Sequence, residues 1–308
     1  MNGTAQQEAA HGGRSDAPSS TWGFIEGEEI APGLLALDLL GGGSRYEAYL
    51  AFDERLRYVV VVKVLRPDHV DDGPALRGLR READILASLN HPVIIRLLDA
   101  RPDCDRPYLV LELADGPRVS TIIRRFGRLD LEQAAPLAVE LASALHYLHS
   151  QDLVHLDIKS KNAILGSPPR LIDLSIARRI GDAARLHVPI GTDAYMAPEQ
   201  CRSTAHSPVG PPADIWGLGV TLHESVAGCL PFPRGVDDDD APLEERFPQL
   251  ISDPEPVPTG VPEPLADAIR ASLEANPEHR PTAGEVADMV EPLLSTPRRF
   301  VLKALRPG

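Results

Sequence analysis

The chain is short of the residue types that would commit it to an unusual environment. Its three cysteines, Cys104, Cys201 and Cys229, are far apart, odd in number and in no metal-ligand spacing. That excludes a disulfide framework and makes a reducing compartment the default. No uninterrupted apolar run approaches eighteen residues, and the most apolar helix candidate, at 215–232, carries His223 and Glu224. It fits a buried core helix better than a membrane span. The first residues lack the basic-then-apolar order of a signal peptide, so the expected location is the cytoplasm. A basic excess is missing too: the net charge is -14, which argues against a general nucleic-acid binder and against docking on anionic membranes. Aromatic residues make up 5% and charged ones 25%, an ordinary soluble composition. What is present is apolar bulk, 43% of 308 residues, enough for one large domain or two compact lobes.

Residues 1–21 are rich in Gly, Ala, Ser and Gln without apolar periodicity, the composition of a disordered tail. From 34 to 113 strand signals dominate, at 34–40, 46–52, 58–65 and 108–113. A helix is expected at 73–89, with Leu79, Leu86 and Leu89 on one stripe. Glu82 falls in that stripe and Lys63 inside the apolar run 58–65. An unpaired buried charge is expensive, so each is expected to partner the other. Beyond Gly116 helices take over, at 130–149 with Asp130 as N-cap, then 213–228, 263–275 and 282–294, with prolines marking the joints. There is no internal repeat. The four acids 237–240 read as a solvated loop or, more sharply, as an attractor of basic substrates. Residues 298–306 form a mildly basic tail.

The chemistry concentrates in His155-Leu156-Asp157-Ile158-Lys159-Ser160-Lys161-Asn162, followed by Asp173-Leu174-Ser175. Asp173 and the Asn162 carbonyl are oxygen ligands of the kind a hard divalent cation takes. Asp157 is placed to accept a proton from a hydroxyl, and Lys159 to neutralise a group being moved. Upstream, Gly41-Gly42-Gly43 alone signals only a turn. A strand rather than a helix follows it, which argues against a dinucleotide fingerprint.

Together these motifs resemble the eukaryotic-like (Hanks-type) Ser/Thr protein kinases, in a bacterial-type soluble member of the non-RD kind. The resemblance spans about 34–294 and includes the segment from Gly191 to Glu199, the helix start from Asp214 to Gly219, and Arg280, expected to pair with Glu199. It implies an α+β, bilobal protein-kinase-like fold: a tail at 1–21, a mainly β N-lobe at 22–113, a mainly helical C-lobe at 114–296 and a tail at 297–308. ATP would lie between the lobes, with Mg²⁺ or, second, Mn²⁺ held by Asn162 and Asp173. The nucleotide site would comprise Leu40, Gly41 and Gly43 of the turn, Ala48 and Val61 over adenine, and Lys63 oriented by Glu82. Leu111 would be the gatekeeper, Glu112 to Ala114 the hinge and Ile164 the floor. Asp157 and Lys159 would be catalytic, and the partner a protein with a Ser/Thr acceptor, basic if the acid run attracts it.

Several positions depart from the family. The third glycine of the turn is Tyr46, expected to stiffen the loop or screen the phosphates. Ala48 and Val61 exchange the usual sizes, which conserves volume. Leu156 replaces the Arg that reads an activating phosphate, and 176–191 contains no Ser, Thr or Tyr. Ser175 replaces a glycine, reducing backbone freedom beside Asp173. The expected activity is therefore ATP-dependent Ser/Thr phosphorylation independent of activation-segment phosphorylation. The competing class is a pseudokinase, a nucleotide-binding or scaffold module, favoured by Tyr46, Leu156 and Ser175 and opposed by the complete catalytic set.

Overall fold

The structure, a computed structural model, describes residues 20–202 and 207–294. Of the expected tails at 1–21 and 297–308, residues 1–19 and the whole second tail lie outside the described residues, but Ser20 and Thr21 belong to the fold. The Ser20 hydroxyl accepts the Asp68 N–H at 3.1 Å and the Thr21 hydroxyl that of Gly23 at 3.2 Å. The chain divides into two compact units, one ending at Asp115 and taking in Ile172–Arg178, the other holding Gly116–Leu171 and the chain from Arg179 onward.

The first unit is built on a six-stranded antiparallel sheet in the order β1-β2-β3-β4-β6-β5. Its strands are β1 (Glu29–Ala31), β2 (Leu34–Gly42), β3 (Tyr46–Asp53), β4 (Tyr58–Leu65), β5 (Leu97–Arg101) and β6 (Tyr108–Glu112). Valine dominates β4, and β-branched side chains suit a pleated surface. Strict alternation sorts the side chains. Tyr49, Ala51, Val60, Val62, Val64, Tyr108 and Val110 enter one core cluster with Ile30, Leu34 and Ala36, and Trp22 and Phe24 pack against it. The intervening residues Tyr46, Ala48, Val61, Lys63, Leu109 and Leu111 share the opposite face, since Ala48 opposes Lys63, Lys63 opposes Leu109 and Val61 opposes Leu111.

Helix α1 (Gly73–Ser88) buries Leu79, Glu82, Ile85 and Leu86. Leu89 was expected on that stripe but is the C-cap, half-buried with an extended backbone. Ile85 takes its place, one turn after Glu82, as a 3.6-residue period requires.

Glu47 is a buried acid on the core face that sequence patterning did not single out. Its carboxylate receives Arg66 at 2.9 Å, the Tyr49 hydroxyl at 3.0 Å and the Trp22 N–H at 3.2 Å. The Arg106 guanidinium lies over both the Trp22 and Phe24 rings. These contacts fix Trp22 and Phe24 across that face of the sheet.

The second unit is mainly helical. Helix α2 spans Val119–Phe126 and α3 spans Leu131–Ser150, where Gln133 reaches back to the Asp130 N–H at 3.2 Å and closes the N-terminus. The helix Pro211–Ala227 starts on two prolines and ends at Gly228, whose φ of 77° suits the left-handed C-cap. It is buried nearly all round, as its continuous apolar character demands. Two later helices, Glu263–Ser272 and Ala283–Val290, are shorter than the sequence suggested, the second passing into a 3₁₀ turn at Glu291–Leu293. Among the described residues no helix is long and apolar enough to cross a membrane.

Glu199 and Arg280 form a bidentate pair at 2.7 and 2.9 Å, both side chains essentially inaccessible. Arg280 also donates to the carbonyls of Pro212, Glu274 and Ala275 and lies over the Trp216 ring. Breaking one half of such a pair strands a buried charge, at about 3–5 kcal/mol. Arg280→Ala is therefore expected to lower unfolding free energy by about that amount, read from urea melts. A loss below about 1 kcal/mol would show the pair to be dispensable.

Candidate active site

In the first unit the site grows from one lysine. Lys63 is the sixth residue of β4, and its ammonium bonds both Glu82 carboxylate oxygens at 2.8 Å. The same nitrogen reaches Asp173 Oδ1 at 2.8 Å. Burial pulls the Lys63 pKa down, but the Asp173 and Glu82 carboxylates more than offset it, so Lys63 stands as a firm ammonium.

Residues 172–178 belong to this unit although they follow the catalytic loop in sequence, a discontinuity absent from a division at 113/114. Lys63 holds Asp173, the Leu174 backbone bonds Glu82, and Arg81 donates to the Ser175 carbonyl at 3.3 Å. Asp173 has a φ of 65°, a left-handed backbone that non-glycine residues adopt only where surrounding contacts hold it.

The turn between β2 and β3 is tied down at its base. The Gly43 N–H donates to the Tyr46 carbonyl at 3.0 Å, and Arg66 Nε bonds the Gly43 carbonyl at 2.8 Å. Gly41 has a φ of 128°, and a Cβ on Gly42 would collide with the Tyr46 carbonyl. Both positions require glycine. Of the expected turn N–H groups, that of Gly43 closes the hairpin instead of pointing at a ligand. Tyr46 was expected to stiffen the loop or screen phosphates; its ring lies over the Lys63 ammonium, 4.7 Å from nitrogen to centroid. Ala48, Val61 and Leu111 share the Lys63 face, Leu40 is exposed at the end of β2, and Glu112 closes β6 next to Ala114.

In the second unit the catalytic loop is mounted on the helix Pro211–Ala227. Asp214 is an acid inside an apolar helix, with its side chain at 0% exposure. Its carboxylate accepts the His155 N–H at 2.9 Å and the Leu156 N–H at 2.7 Å, and contacts His149 Nε2 at 3.0 Å. Gly217, one turn on, lets Ile158 approach: a Cβ there would sit 3.0 Å from the Ile158 carbonyl. Leu156 is buried with a φ of 67°, and its carbonyl accepts Gln200 Nε2 at 3.1 Å.

Beyond this mount three groups close a triangle. Lys159 Nζ bonds Asp157 Oδ2 at 2.6 Å and Thr192 Oγ1 at 2.7 Å, and Thr192 donates to Asp157 Oδ1 at 2.7 Å. The Asn162 NH₂ bonds the Asp157 carbonyl at 3.0 Å and Oδ2 at 3.1 Å. With its NH₂ committed, Asn162 has only its carbonyl oxygen to offer a cation. That oxygen, and in the first unit the Asp173 carboxylate, are each by their chemistry hard donors of the kind a divalent ion takes. Ile164 lies in a two-residue strand, Ala163–Ile164, paired with Arg170–Leu171.

Thr192 completes the polar triangle with Asp157 and Lys159. Asp214 was read only as a marker of the central helix. The signal was available in the logic that found Glu82: an acid in an apolar helix must have buried partners.

The family model for the protein kinase domain matches residues 35–290. The serine/threonine-protein kinase PknB of Mycobacterium leprae is 33% identical over 270 residues, covering 82% of this chain and 42% of its own. The serine/threonine-protein kinase PkaA of Streptomyces coelicolor is 34% identical over 236 residues, covering 74% and 42%. The sperm motility kinase 2B of Mus musculus is 31% identical over 258 residues, covering 83% and 50%. The chain thus spans half or less of the length of these relatives.

Asp214→Ala would leave the His155 and Leu156 N–H groups without their acceptor. Each unpaired buried donor costs about 1–3 kcal/mol. The variant is expected to lose about 2–4 kcal/mol in urea unfolding, with faster amide exchange at residues 155 and 156 than at the Lys63 strand. Uniform exchange across both units would contradict a local mounting role.

Proposed function

The chain belongs to the protein kinase domain family, and from that premise we propose that it is a Ser/Thr protein kinase acting with ATP and Mg²⁺. One observation carries the reading: the closed triangle of Asp157, Lys159 and Thr192, braced by Asn162. When bound, ATP supplies the γ-phosphoryl group and Mg²⁺ neutralises its charge. Asp157 orients the acceptor hydroxyl and takes its proton. Lys159 stabilises charge on the group in transfer, and Thr192 fixes both neighbours at hydrogen-bond distance. Lys63, held by Glu82, binds the α- and β-phosphates, while Asn162 and Asp173 take the cation. Leu40, Gly41, Gly43, Ala48, Val61, Leu111, Glu112, Ala114 and Ile164 line the nucleotide in this reading. Positioning and electrostatics do most of the work.

The activity is independent of activation-segment phosphorylation. Support comes from Gln200, whose amide ties the Leu156 carbonyl to that of Ile190 at 2.9 Å, and from Gln249, which holds the carbonyls of Asp193 and Met196 at 2.7 and 3.1 Å. Neutral amide bonds thereby order the stretch that an Arg–phosphate pair orders elsewhere. The acid run 237–240 is exposed, with Asp239 paired to Arg246 at 2.6 Å, and its field favours basic acceptor segments.

Radiolabelled ATP transfer to a basic protein tests the reading. Asp157→Asn is expected to lower transfer about 10²–10⁴-fold while nucleotide binding persists. Binding without transfer in the unaltered protein, with Mg²⁺ or Mn²⁺, would point to a pseudokinase. Phosphatase treatment is expected to leave the rate unchanged; a large loss traced by mass spectrometry to residues 176–195 would refute phosphate independence. Replacing the four acids by Asn is expected to raise KM for basic peptides in a salt-sensitive way, with kcat retained.

A further inference from the structure

Lys63 has three N–H donors, and all three are taken. Two go to the Glu82 carboxylate and one to Asp173, each at 2.8 Å. The Tyr46 ring covers the ammonium as well, 4.7 Å from nitrogen to centroid, a cation–π distance. An arriving phosphate therefore meets a lysine that is both saturated and roofed. Coordination of a cation by Asp173 would release one donor, but it would not remove the ring.

The ring is held less firmly than its backbone. The Tyr46 carbonyl accepts the Gly43 N–H at 3.0 Å, and Arg66 holds the Gly43 carbonyl, so the hairpin base is fixed. Among the described residues the Tyr46 hydroxyl is anchored by a 3.5 Å approach to the Ala75 carbonyl on α1, at the outer limit of a hydrogen bond. Gly78 lies beside it, and a Cβ there would come within 3.4 Å of that hydroxyl. Burial pushes the hydroxyl pKa up, so it stays neutral and forms no ion pair with Lys63. The contact that must break is the ring's own, and it can break by side-chain rotation alone.

We propose that Tyr46 is a lid on Lys63 that sets the affinity for nucleotide phosphates. The lid rests on the proposed nucleotide role of Lys63 and adds a selective property. Ligands that engage Lys63 must displace the ring, whereas the nucleoside portion, which makes no demand on Lys63, binds without opening it. Affinity for phosphorylated nucleotides is reduced by the fraction of molecules with the lid open.

The test is isothermal titration of the full chain and of Tyr46→Ala and Tyr46→Phe with adenosine, ADP and ATP, each with and without Mg²⁺. Tyr46→Ala is expected to tighten ADP and ATP about tenfold, with adenosine within about twofold of the unaltered protein. Tyr46→Phe keeps the ring and is expected to match the unaltered protein for all three ligands, which also controls for folding. Unchanged or weakened ADP binding in Tyr46→Ala, with adenosine still bound, overturns the lid and leaves the kinase reading intact. Equal tightening of adenosine also overturns it, since the ring would then be blocking the base. If none of the proteins binds any of the three ligands, the nucleotide reading falls and the lid with it.

Discussion

The second unit depends on a carboxylate with no contact to solvent. Asp214 accepts two successive backbone amides, of His155 and Leu156, and so fixes how the segment 155–162 lies on the helix Pro211–Ala227. Leucine does not favour a φ of 67°; such a backbone persists where surrounding bonds overdetermine it. Here Asp214 holds the Leu156 N–H and Gln200 its carbonyl. The peptide is clamped at both ends, and Asp157 follows immediately. A carboxylate placed this way owes its position to hydrogen bonds made before any substrate arrives, the arrangement electrostatic catalysis by the proposed base needs.

The same clamp explains how Leu156 is accommodated. A side chain that reads phosphate must reach solvent, whereas Leu156 is 3% exposed. Its carbonyl shares the Gln200 amide with the carbonyl of Ile190, and Gly191 follows with a φ of 139°. A Cβ on Gly191 would sit 2.9 Å from Met196 Cγ and 3.1 Å from the Leu156 carbonyl. Gln200, Gly191 and Leu156 thus form one close-packed joint. Charge is absent from it, so its order is insensitive to salt.

Charges inside apolar patterns were the legible part of this chain. Lys63 in a valine strand and Glu82 in a leucine stripe announced each other, whereas Glu199 with Arg280 was expected only from the family resemblance. Periodicity located β4 and α1 closely for the same reason: their buried faces are unbroken. It missed β1 (three residues), β5 (Leu97–Arg101) and α2 (eight residues). Short or charged segments carry too little periodic signal and are stabilised by neighbours instead. The transfer of 172–178 to the first unit was equally hidden, because it rests on contacts to Lys63, Glu82 and Arg81 rather than on local preference. Tyr46 was visible only as a missing glycine; that its ring would choose Lys63 follows from β3 and β4 register, which opposes Tyr46 to Leu65 and Ala48 to Lys63.

Charge balance around Lys63 carries a last consequence. One ammonium faces two carboxylates, Glu82 and Asp173, so the trio sums to one negative charge while the whole chain carries -14. A phosphate approaching that trio alone would be repelled, and Lys63 could serve it only by giving up its bond to Asp173. A divalent cation on Asp173 reverses the balance: the trio becomes positive by one, and Lys63 is released to a new acceptor. If Lys63 takes phosphate and Asp173 a cation, as proposed, the two are thermodynamically coupled, each raising the affinity of the other. The coupling needs no conformational relay, because it is already present in the arithmetic of three side chains within 2.8 Å contacts.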